Sequence, residues 1–93
     1  MRSVLSTLTA AVIAALTFAA PAAADEAEFL RKLQDQYVYL TPDQLLAAGH
    51  QVCAAARQGV PASESVMMVR DLLGTSVPAA GDIVSTAVVE LGC

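Results

Sequence analysis

Two cysteines, Cys53 and Cys93, stand 40 residues apart in a chain of 93 and are the only ones it has. What they do depends on the compartment, and the start of the chain speaks to that. Met1-Arg2-Ser3 carries one positive side chain, and Val4 to Ala20 is apolar apart from Ser6, Thr7, Thr9 and Thr17. Pro21-Ala22-Ala23-Ala24 then breaks the run, with Ala22 and Ala24 as the small residues a leader peptidase needs. This order predicts a signal peptide over residues 1–24, cleaved before Asp25, and a destination in the cell envelope or the extracellular space. A membrane anchor fits less well, because a span needs about 20 predominantly apolar residues. No stable membrane span is expected after cleavage.

In an oxidising compartment an even cysteine count reads as a disulfide. A Cys53–Cys93 bond would constrain the unfolded chain by roughly 4 kcal/mol in the chain-entropy account. The alternative is a metal site built from His50, Cys53 and Cys93, since His50 and Cys53 are i, i+3 on one predicted helix. Those three fall short of the four ligands zinc usually takes, so neither metal nor cofactor is expected.

The 69 residues from Asp25 to Cys93 carry nine acidic side chains against Arg31, Lys32, Arg57 and Arg70, a net charge of −5. Nucleic-acid binding requires clustered cations that displace counterions. Attraction to anionic lipid requires the same. Neither partner is expected. Thirty-five of the 69 residues are apolar, which makes the segment a folding domain rather than a disordered tail. A chain of this size buries only about 60% of its unfolded surface, so a covalent staple is a natural remedy.

Periodicity predicts four helices. The first spans Glu26 to Gln36, with Phe29, Leu30 and Leu33 as its apolar stripe and Tyr37 one turn further on. Asp25, Glu26 and Glu28 suit the positive end of its dipole. Tyr37-Val38-Tyr39-Leu40 is an apolar bridge without helical period. Thr41-Pro42-Asp43-Gln44 then opens the second helix with a capping box and a proline at its first position. That helix runs to Gln58, before Gly59, and presents Leu45, Ala48, Gly49, Val52, Cys53 and Ala56 on one face. The third starts near Pro61 and ends at Leu73-Gly74, with Ala62, Val66, Val69, Leu72 and Leu73 together. The fourth starts near Pro78 and ends at Gly92, with Ala80, Ile83, Val84, Ala87 and Leu91 together. Short connections and the lack of any repeat or linker predict one all-α domain over residues 25–93, a small antiparallel bundle.

Phe29-Leu30-x-x-Leu33, the block Gly49-His50-Gln51-Val52-Cys53, Gly59 and the cysteine at position 93 together resemble a mycobacterial family of small secreted proteins, domain of unknown function 732. The likeness covers nearly the whole segment after the leader. It implies an exported helical domain whose two cysteines pair, and it implies no activity. Leu91-Gly92-Cys93 departs from the family, whose members often carry an aromatic before the cysteine and a proline after it.

His50, the only histidine, falls at the edge of the apolar face of the second helix, between Leu46 and Arg57. A base, a haem ligand or a pH-sensing group would use such a residue, and it is the one weak candidate for holding a cofactor. Ser63, Ser65, Ser76 and Ser85 stand in no nucleophile-type turn motif, and helix starts account for Ser63 and Ser76. The carboxylates are scattered, with no calcium loop. No catalytic residue is therefore assigned. Tyr39, Met67, Met68 and Val89 are apolar residues at positions the helical pattern leaves outside the core or at its margin, and together they would make a partner surface. These features favour a non-enzymatic interaction or structural protein of the envelope, with an unknown protein or envelope component as partner. The alternative is a carrier for a small lipid or haem.

Overall fold

The structure, a computed structural model, describes residues 25–93. The predicted leader over residues 1–24 lies outside the described residues. Four helices and no strand make up the described chain: α1 over residues 25–34, α2 Pro42–Arg57, α3 Ala62–Leu73 and α4 Val77–Leu91.

Local chemistry sets each boundary. α1 ends two residues short of the predicted Gln36, and the backbone turns through 35–40 with Tyr37 N–H on the Leu33 carbonyl and Leu40 N–H on the Tyr37 carbonyl. The predicted capping box is present. Thr41 Oγ1 accepts from Gln44 N–H at 3.2 Å, and Gln44 Oε1 accepts from Thr41 N–H at 2.9 Å. Gly59 follows α2 at φ 81°, a left-handed conformation that glycine takes without steric cost. Ser76 caps α4 by accepting from Ala79 N–H at 3.2 Å, as its position suggested. Ser63 does not cap α3. Pro61 occupies that position and no side chain caps the helix.

Phe29, Leu33, Leu45, Ala48, Val52, Val69, Ala80, Ile83 and Ala87 are almost fully enclosed and form one core. α2, α3 and α4 pack against one another in every pairing, and Phe29 and Leu33 of α1 complete the core. The α3–α4 turn bends the chain by 115°. The predicted face of α3 needs correction at both ends. Val69 is buried and Val66 and Leu73 are partly so, but Ala62 and Leu72 are exposed, Leu72 by 47%. By helical angle both lie toward the core, but they stand in the first and last turns of the helix. Ser65, one turn before Val69, is the buried residue instead.

Cys53 and Cys93 are joined by a disulfide, with Cα atoms 5.2 Å apart. It ties the C-terminal half of α2 to the residue that follows α4 and Gly92. No single helix among the described residues is long and apolar enough to cross a membrane.

Candidate functional site

The helices alternate in direction, and that divides the molecule into two ends. At one end lie the start of α1, the end of α2 and the disulfide. His50 Nε2 is 3.1 Å from Glu26 Oε1, which joins the second half of α2 to the first turn of α1. Both side chains are substantially exposed, so the pair contributes little to stability. A surface groove of about 190 Å³ lies here, lined by Asp25, Glu26, His50, Cys53, Arg57 and Leu91. No group of three metal-ligating side chains occurs among the described residues.

At the other end the Tyr37–Leu40 bridge lies against the α3–α4 turn. Tyr37 Oη donates to Asp82 Oδ2 at 2.8 Å, and the Tyr39 hydroxyl shares a 2.6 Å hydrogen bond with Thr75 Oγ1. The two rings meet edge to face with centroids 6.4 Å apart. Burial, and then the bond to the Asp82 carboxylate, push the Tyr37 phenol up to about 12. Seven large apolar side chains are exposed among the described residues, and four of them belong to this end: Val38 at 81%, Tyr39 at 61%, Leu72 and Val77.

Of the four residues expected to form a partner surface, Tyr39, Met67 and Val89 are exposed and Met68 is half-buried. Tyr39 stands at the bridge end. Met67 is exposed on α3, while Met68 is partly buried and packs against the core. Val89, 72% exposed, lines a second groove of about 200 Å³ beside the Lys32–Glu90 ion pair, with Ser85 and Thr86. Sequence reasoning missed Val38, Leu72, Val77 and Val88. Val38 carried a usable signal, since it lies in a stretch with no period and no helical partner. Leu72 carried a misleading one, because its helical angle is that of a core residue.

Ser65 is buried, Ser76 caps α4, and Ser85 donates to the Gly81 carbonyl at 2.9 Å. Among the described residues, His50 pairs with Glu26. No buried side-chain polar atom among the described residues lacks a hydrogen-bond partner.

No curated protein and no solved structure matches the chain. A family model described as a protein of unknown function, DUF732, matches residues 24–93. That span takes in all four helices and both cysteines, together with the divergent Leu91-Gly92-Cys93 end. The chain belongs to the DUF732 family.

Proposed function

We propose that this protein is exported and works by binding, as a non-enzymatic interaction or structural protein of the cell envelope or extracellular space. The leader-like residues 1–24 support export. The observation that carries the binding reading is the placement of apolar side chains. Among the described residues the buried polar side-chain atoms are paired, yet Val38, Tyr39, Met67 and Val89 are left in solvent on a scaffold closed by a disulfide. Exposed apolar side chains that gather into a patch mark contact with another molecule.

A carrier of lipid or haem has less behind it. The two grooves hold about 200 and 190 Å³, below the roughly 300 Å³ at which small-molecule sites begin. His50 lies beside one of them with its Nε2 turned to Glu26.

Affinity capture with chemical cross-linking tests the proposal, using the disulfide-bonded protein against envelope extract. The expected result is a saturable protein partner that Tyr39→Ser, Met67→Ser or Val89→Ser weakens. A lipid or haem that co-purifies in stoichiometric amount, with a Soret band lost in His50→Ala in the haem case, would replace the binding reading with the carrier.

A further inference from the structure

We propose that the bridge end, built on Val38 and Tyr39 and extended by Leu72 and Val77, is the docking surface, and that it takes a cationic, apolar segment of another protein. The inference rests on the binding reading above and gives the partner its chemistry.

Geometry brings the surface together. Tyr39 is held on Thr75, which lies three residues after Leu72 and two before Val77. The bridge residue between the two tyrosines, Val38, is the most exposed large apolar side chain among the described residues. Tyr37 is hydrogen-bonded to Asp82, so the bridge is fixed at both ends and the apolar groups are presented with little conformational freedom to lose. Preorganised aromatic and aliphatic side chains are what an interface uses as anchors.

Charge selects the occupant. The segments that make this end, 35–43 and 70–77 with Asp82, hold four carboxylates and a single cation. Asp35 closes α1, Asp43 lies in the first turn of α2, and Asp71 precedes Leu72. The cation, Arg70, is already paired with Asp71 at 2.9 Å. Elsewhere, by contrast, Arg31 pairs with Glu28 and Lys32 with Glu90. An apolar surface with an uncompensated acidic rim favours lysine or arginine beside its partner's apolar side chains. A second copy of this chain is a poor occupant, because a two-fold contact through this end would set the same carboxylates against each other. An anionic bilayer is disfavoured by the same sign of charge.

The test maps binding by NMR on the purified disulfide-bonded protein. The probes are an amphipathic peptide of leucine and lysine, its leucine–glutamate counterpart, and vesicles of phosphatidylglycerol with phosphatidylcholine. The lysine peptide is expected to bind with shifts centred on Val38, Tyr39 and Thr75, and to weaken as salt is raised. Tyr39→Ser should weaken it about tenfold. Asp43→Asn with Asp71→Asn should weaken it several-fold, and Glu64→Gln, in the first turn of α3, should leave it unchanged. If Tyr39→Ser does not fold, Val38→Ser serves, since a side chain 81% exposed has little packing to lose. Equal binding of the glutamate peptide, shifts centred on Val89 or Met67, binding to vesicles instead, or a dimer that Tyr39→Ser dissolves would each overturn the proposal. A captured envelope protein that maps to Met67 or Val89 would defeat this site while the broader binding reading stands.

Discussion

Tyr37 and Asp82 are 45 residues apart in sequence, and their 2.8 Å hydrogen bond anchors the bridge between α1 and α2 to the second turn of α4. It is a neutral phenol donating to a carboxylate in a partly buried position, which is a strong class of hydrogen bond. Tyr39 makes a second side-chain hydrogen bond from the bridge, to Thr75 just before the helix.

Tyr37→Phe should therefore destabilise the domain by about 1–2 kcal/mol, since it leaves the Asp82 carboxylate short of a donor. The pH dependence has a definite sign. The phenol is raised from 10.0 to about 12 in the folded protein. Its contribution is complete below pH 10.0, where the tyrosine is protonated folded or unfolded, and is lost as pH rises through about 12. Denaturant melts of wild type and Tyr37→Phe should converge across that window. A constant gap, or a phenolate absorbance step near 12 that persists in the variant, would contradict the assignment.

Cys93→Ser should cost about 2–4 kcal/mol, more than any single surface substitution. It opens the loop that joins α2 to the end of α4 and leaves Cys53, now 5% exposed, as an enclosed thiol. Thermal melting of the variant beside wild type checks it. An unchanged midpoint would mean that packing of α4 alone holds the C-terminus.

Gly49→Leu should cost about 1–3 kcal/mol, against the roughly 1 kcal/mol that helix propensity offers for replacing a mid-helix glycine. A Cβ at this position would lie 2.9 Å from Leu91 Cδ1 and 3.0 and 3.2 Å from the Phe29 ring. α4 approaches this position through Leu91 and α1 through Phe29. Leu91 is partly buried and can turn aside; Phe29 is fully enclosed and cannot. Gly49→Ala should accordingly fall between wild type and Gly49→Leu. Chemical denaturation in which both variants match or exceed wild type would refute the contact.

Thr41→Ala should lower stability by about 1 kcal/mol, because it removes one half of the reciprocal cap and leaves Gln44 N–H without its acceptor. Amide exchange should quicken first at Gln44 and its neighbours in the first turn of α2. Uniform exchange along α2 would show that the cap does not govern fraying.

The helices were legible because their signals are local. Thr41, Pro42 and Gln44 specify a helix start within four residues, and Gly59 and Gly92 end helices because left-handed backbone suits glycine. The cysteine pair was legible for a different reason: two cysteines have one way to pair within a chain. The family likeness extends over the same stretch as the folded domain.

The surface was only partly legible, because exposure at helix ends depends on what lies beyond them. Leu72 has the helical phase of a core residue and is solvent-exposed because α3 ends one residue later. Tyr37 and Tyr39 read alike in sequence, as aromatics in an aperiodic bridge, yet one is partly buried on Asp82 and the other projects over Thr75. The sequence by itself determined the capped start of α2, the glycine helix stops, most of each apolar stripe and the single possible disulfide, all set by interactions along the chain or by counting. Tertiary structure alone decided that Phe29 and Leu91 meet over Gly49, and that Val38 and Tyr39 join the α3–α4 turn in an apolar end with an acidic rim. Those contacts link residues far apart in the chain, and their geometry follows from how the helices cross, which no local pattern encodes.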